Sequence, residues 1–397
     1  METTEAFTGL ECRDCEASIG VGASARRCPE CNGLLDPTYA YAEIDLDRAT
    51  LDSREFDSLW RYEEVLPFPK TSAVSMAEGA TALIECPTLA EAFGVDRVYV
   101  KDEGRNPTGS MADRGASLAL TAVAGRGESA VSLPSTGDSA QAVAAYAGRA
   151  GIDAHAFLPA RSTHTTKSMV NVHGAEMTVS GGRFDETAAA WGEEMAAHEE
   201  WHSLAPFDTP FRHEAAKTVL FEVLEQLSWT VPDAIVYPTG HGIGLVGGHN
   251  GAMEFEELGL IDERPTLYAA QAAGCSPVVE AYDAGRDSHT PVEHPDTICG
   301  AIEIPDPAAG SWILEALEAS GGGAVATEDE TILEAAVTIA YHEGIELSPA
   351  GAAAASATRE LADQGTFDED DVIVLVNPGS GTKEADILRS HLMRTGV

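Results

Sequence analysis

The sequence predicts an α/β protein with doubly wound parallel sheets, preceded by a small cysteine ribbon, and three observations carry that expectation. Short apolar runs alternate with longer amphipathic stretches from residue 97 to residue 376, the pattern of a parallel sheet covered by helices. Two turn-rich corners join a strand to a helix, Asn106-Pro107-Thr108-Gly109-Ser110-Met111-Ala112-Asp113-Arg114-Gly115 and Gly240-His241-Gly242-Ile243-Gly244-Leu245. Ahead of both lie Cys12-x-x-Cys15 and Cys28-x-x-Cys31.

The cysteines come first along the chain. Two pairs at this spacing form two knuckles that close a tetrahedral thiolate site, so Cys12, Cys15, Cys28 and Cys31 are candidate ligands of zinc. Disulfides or idle thiols are the alternatives. No fifth cysteine is near, which makes the expected metal structural rather than catalytic. Cys86, Cys275 and Cys299 sit in apolar or small-residue surroundings and read as buried small hydrophobes.

Residues 39–68 read as a polar, carboxylate-rich approach segment. Strand 97–101 then feeds the first corner and helix 114–124. Strand and helix alternate through 130–133, 139–149, 154–158, 165–173, 176–179 and 185–199, and helix 213–227 follows. Strand 234–237 opens the glycine corner, and strand 267–271 and helices 277–284 and 311–319 come after it. Thr327-Glu328-Asp329-Glu330 reads as a capping box opening another helix, followed by helix 350–361 and a last buried strand, 372–376. The expected division is a ribbon at 1–40, a large α/β domain from 41–104 with 230–397, and a small α/β domain at 105–229.

The 397 residues carry 65 Asp and Glu against 24 Lys and Arg, a formal net charge of −41, and only five of the basic residues are lysine. Carboxylates spread along the whole chain with scarce lysine are the balance expected of a protein kept soluble in concentrated salt, as in a haloarchaeal-type cytoplasm. An acidic partner-binding surface is the alternative. Nucleic acid is an unexpected partner, because nothing here would neutralise phosphates along a strand. The first ten residues lack the basic start and apolar core of a signal peptide, and no run approaches a membrane span, so a cytoplasmic location is expected.

The first corner resembles that of the threonine synthase-like family of fold-type II pyridoxal phosphate (PLP) enzymes, in which the run is Asn-Pro-Thr-Gly-Ser-Phe-Lys-Asp-Arg-Gly. Further runs are similar in the same order: Gly79-Ala80-Thr81-Ala82-Leu83, Glu214-Ala215-Ala216-Lys217-Thr218, Gln271 to Pro277, and Ser348 to Ala353. Archaeal-type members often carry a zinc ribbon too. The resemblance implies a tryptophan synthase beta-like fold, a homodimer, and a carbon–oxygen lyase converting O-phosphohomoserine to threonine.

Carried over residue by residue, the family's site is altered here. Its Schiff-base lysine is Ala112, whose methyl group can neither bond a cofactor nor move a proton. Lys101, Lys167, Lys217 and Lys383 fall where members commonly have lysine, and Lys70 lies early in the chain, so none is an expected substitute. In the loop Ser135-Thr136-Gly137-Asp138-Ser139, Asp138 replaces the asparagine expected at the cofactor's ring oxygen; it reads equally well as a helix N-cap. Ser135, Thr136, Gly137 and Ser139 remain suited to a substrate carboxylate. Gly240, His241, Gly242, Ile243 and Gly244 form a turn able to cradle a phosphate, with His241 either adding charge or pointing to solvent. Pro378 stands where a hydroxyl residue should meet the pyridine nitrogen, leaving Ser380 or Asn377 as candidates after a loop shift.

The expected function is therefore a diverged, catalytically impaired member that retains a cleft for a small phosphorylated or amino-acid ligand. PLP, if bound, would be held non-covalently. A working lyase is the alternative. Gly242-Ile243-Gly244-Leu245-Val246-Gly247 also spells a dinucleotide fingerprint, but the next strand ends at Gln271 where an acidic residue is needed.

Overall fold

The computed structural model describes residues 1–22 and 25–395. Three short antiparallel strands, Phe7–Cys12, Ser18–Gly20 and Leu35–Tyr39, form the N-terminal ribbon. Two further sheets form the body. One is four-stranded and wholly parallel, in the order Glu176–Val179, Asp153–Leu158, Ala130–Pro134, His202–Ser203. The other is six-stranded, in the order Gly323–Thr327, Thr266–Ala272, Ala234–Pro238, Val372–Asn377, Arg97–Asp102, Leu83–Glu85.

Its last strand pairs antiparallel, so this sheet is mixed where a purely parallel one was expected. Leu83–Glu85 is only three residues long and half exposed, too short for an alternating pattern to register in the sequence.

Helix boundaries follow the periodicity closely. The stretch expected at 139–149 is Asp138–Ala150, and that at 350–361 is Pro349–Asp363. The capping box does not form. Strand pairing of Thr327 with Ala272 draws Thr327 into the sheet, where its hydroxyl meets Ser356 Oγ at 2.6 Å. The helix Asp329–His342 starts instead after Glu328, which makes no side-chain cap. Residues 39–68 also differ from the polar segment expected: Trp60, Tyr62, Leu66 and Phe68 are buried, and the carboxylates between them face outward.

The first corner is anchored by charge in the core. Lys101, Glu103, Arg114 and Glu222 are all 0% exposed. Arg114 donates to both carboxylates at 2.6–2.8 Å, and Lys101 Nζ donates to Glu222 at 2.7 Å and to Thr81 O at 2.9 Å. Asn106 joins through Glu103 at 2.8 Å. Two cations balance two anions, so the cluster is neutral and every carboxylate oxygen has donors. That is the condition under which buried charge is tolerated. Asp113 finishes the corner by accepting from the Thr108 N–H and hydroxyl, both at 2.8 Å, which leaves Ala112 at the first turn of helix Ala112–Arg126. Among the described residues no helix is long and apolar enough to cross a membrane.

Candidate functional site

One pocket collects the ends of five helices. Ala112–Arg126 contributes Met111 and Ala112, and Asp138–Ala150 contributes Asp138 and Ser139. Phe211–Gln226 contributes Arg212, Ile243–Glu257 contributes Gly242, Ile243 and Gly244, and Pro349–Asp363 contributes its N-cap Ser348. In every case it is the N-terminal end, where first-turn N–H groups have no helical partner and the macrodipole favours negative charge. Five helix starts lining one space favour negative charge there, although the Ala140 and Gly351 N–H groups are already taken by Ser135 and Ser348.

The glycine corner shapes the floor. Gly242 sits at φ 92, a left-handed conformation, and a Cβ there would lie 2.5 Å from the Ile313 side chain. A Cβ on Gly244 would lie 3.1 Å from Met111 Cε and 3.3 Å from Tyr237 Cδ1, so the helix starts close against the first corner.

Arg212 was not singled out from the sequence, and it is the pocket's one cation among the described residues. It is 4% exposed, donates to Leu204 O at 2.8 Å and to Ser139 Oγ, and has no carboxylate partner. Two of its five N–H donors are thus committed to protein. Burial with nothing to offset it pulls its pKa down to about 10, still charged at neutral pH. The signal available in the sequence was its position: a cation in the first turn of a helix opposes the dipole and needs a reason to be there.

Other expected residues take defined roles. Ser135 Oγ accepts from the Gly137 and Ala140 N–H groups at 3.0 and 3.1 Å, leaving only its proton to offer a ligand. Thr136 lines the pocket, and Gly137 is the N-cap of helix Asp138–Ala150. Asp138 is therefore inside the helix, not its cap, and its Oδ1 accepts from Lys383 Nζ at 2.8 Å. That bond lies where the pocket meets an outer depression lined by Arg161, Lys383 and Glu384.

His241 neither carries charge nor points to solvent. Burial, helped by the Arg212 charge, lowers its pKa to about 3. Nδ1 accepts from the Ala308 N–H at 3.3 Å, so Nε2 is the protonated nitrogen, and it has no partner. Ser110 Oγ, also in the lining, is likewise buried without one.

Ser380 is not brought to the pocket. Its hydroxyl meets Thr382 Oγ1 at 2.7 Å in the short turn Gly381–Glu384. Asn377 is held by Asp102 at 2.9 Å and by Ser348. Pro378 lines the wall instead, fixed by its carbonyl accepting from the Met111 N–H at 2.8 Å.

No lysine among the described residues lines the pocket. Lys70 pairs with Asp57, Lys101 with Glu222, Lys217 with Glu214 and Glu254, and Lys383 with Asp138, while Lys167 donates to Ala160 O. Away from the cleft, the sulfurs of Cys12, Cys15, Cys28 and Cys31 lie within 4.8 Å of one another, close enough to share one metal ion.

A family profile described as "Pyridoxal-phosphate dependent enzyme" matches residues 74–379. The chain is 36% identical over 376 residues to a threonine synthase of Methanosarcina acetivorans, covering 94% of this chain and 92% of that protein. It is equally identical, over 379 residues, to the threonine synthase of Methanocaldococcus jannaschii, at 94% and 93% coverage. Among solved structures, a fungal L-serine ammonia-lyase from Rhizomucor miehei superposes with a TM-score of 0.67 at 22% identity, covering 78% of this chain and 97% of that one. Maize serine racemase gives 0.66 at 19% identity, with 80% and 94% covered.

Proposed function

The chain belongs to the pyridoxal-phosphate-dependent enzyme family and is threonine synthase-like over nearly its full length, and on that premise we propose that it is a diverged member. In this reading it binds a small phosphorylated or amino-acid ligand without a covalent link to a cofactor. The observation that carries it is the pairing of an anion pocket with the absence of any lysine from its lining among the described residues.

PLP fits this pocket in part. Its phosphate matches the glycine corner, the first-turn N–H groups of Ile243–Glu257 and the uncommitted donors of Arg212. No pocket residue would supply an amine to its aldehyde, since Ala112 stands at the family's lysine position, and Asp138 is committed to Lys383. What the chain's own residues can do is bind and orient. The helix ends and Arg212 take an anion, the Ser135 and Thr136 hydroxyls and the His241 Nε2–H offer hydrogen bonds, and Phe184 and Ile304 exclude water. The Ala112 methyl cannot move a proton.

Three further elements belong to the same reading. Zinc on the four ribbon thiolates is structural, the acidic surface keeps the chain dissolved in a salt-rich cytoplasm, and the protein is a homodimer.

Adding PLP to the purified protein in high salt, followed by borohydride reduction and peptide mapping, tests the central point. The expected result is no Schiff-base absorption band and no labelled lysine. Label on Lys383 or any other lysine would return the lyase converting O-phosphohomoserine to threonine as the better reading. The Ala112→Lys variant is expected to take the label yet to form no threonine, because Asp138 and Pro378 are unchanged; full activity in that variant would show that the lysine alone had been lost. A proton-transfer group is worth about 10²–10⁴-fold in rate, so recovery would be plain.

A further inference from the structure

No described ribbon residue lines the pocket, yet the ribbon grips the turn that carries Arg212. Arg26 and Arg27, immediately before Cys28, donate to Asp208 at 2.7 and 3.2 Å. Asp36, in the ribbon strand that pairs with the strand ending at Cys12, meets His213 Nε2 at 2.8 Å. Tyr39, in the same strand, donates its hydroxyl to Glu214. Asp208, His213 and Glu214 flank Arg212 on both sides, at the entry and first turn of helix Phe211–Gln226.

The contacts to His213 and Glu214 are sheltered. His213 is 0% exposed and stacks on Phe207 at 4.8 Å between ring centres. Asp36 also accepts from Arg13, the residue after Cys12, whose guanidinium lies 4.0 Å over the Trp312 ring. On the pocket side only two hydrogen bonds to protein hold the Arg212 guanidinium. A residue so lightly tethered at its tip takes its position from its backbone, which packs closely on Gly115 and is flanked by the side chains that the ribbon holds.

We propose that the ribbon is a positioning element for the pocket. With its thiols gathered, it holds Asp208, His213 and Glu214, and through them aims Arg212 at the bound anion; with the ribbon opened, the turn relaxes and anion affinity falls. Asp36, Arg26 and Arg27 are positioning residues in this scheme, since none touches the ligand. The proposal rests on the reading of the pocket as an anion site.

The test uses the full chain in high salt and two variants. Arg26→Gln with Arg27→Gln changes two partly exposed side chains, and Asp36→Asn removes one half-buried charge. Two quantities are read: affinity for inorganic phosphate by calorimetry, and the rate at which phenylglyoxal modifies Arg212, mapped by mass spectrometry with core Arg114 as control. Both variants are expected to weaken phosphate binding by roughly three- to thirtyfold and to speed Arg212 modification while Arg114 stays protected. Unchanged Arg212 modification in both variants would overturn the proposal. Equal exposure of Arg114 and Arg212 would overturn it too, since the ribbon would then support the whole body. If the unaltered protein binds no phosphate, the anion-pocket reading fails, and Arg212 modification still decides the positioning role by itself.

Discussion

Replacing Arg114 by methionine is expected to cost about 3–5 kcal/mol of stability, the range for removing one partner of a buried ion pair. The side chain is 0% exposed and answers Glu103 and Glu222 at once. Without it, two carboxylates share a water-free site with Lys101 alone. Burial by itself would raise the pKa of Glu222, but Arg114 and Lys101 bring it down to about 2. A carboxylate held below its ordinary value of 4.5 adds stability that is fully present above that value and is lost as pH falls from there toward 2. Equilibrium denaturation of the variant across that window should place its acid transition at higher pH than in the parent. An unchanged acid transition would mean that the cluster contributes no net stability.

The second large effect is at the pocket. Arg212→Gln should lower affinity for phosphate about a hundredfold, near 3 kcal/mol, from the loss of two hydrogen bonds to a charged ligand. The stability change should be smaller, because Arg212 has no carboxylate to leave unpaired. Arg212→Lys should recover only part of the binding, since an ammonium cannot offer the planar fork. Calorimetry at fixed chloride checks all three statements. Equal phosphate affinity in parent and Arg212→Gln would place the anion elsewhere.

Much of the α/β body was legible because its strands are short buried runs and its helices are periodic, as 130–133 and 139–149 illustrate. What escaped depends on distant partners. Leu83–Glu85 and His202–Ser203 are strands only because a neighbour offers them a ladder. Thr327 satisfies a capping rule locally and is overruled by Ala272, some fifty residues away. The candidate site divides the same way. The first corner, the 135–139 loop and the glycine corner are contiguous runs, and all reach the pocket. Arg212 and Phe184 do so through packing that no local pattern announces, while Ser380, a candidate only after a loop shift, is turned aside by its own loop.

The Asp138–Lys383 pair has a bearing on time rather than on equilibrium. Asp138 stands on a helix of the four-stranded sheet, and Lys383 follows the strand Val372–Asn377 of the six-stranded one. Their 2.8 Å bond joins Asp138, which lines both the pocket and the outer depression, to Lys383, which lines the depression alone. A ligand that must part them does so both on arrival and on departure, so the pair slows the two steps alike and cancels from their ratio. A ligand held no more tightly than before would nonetheless stay longer.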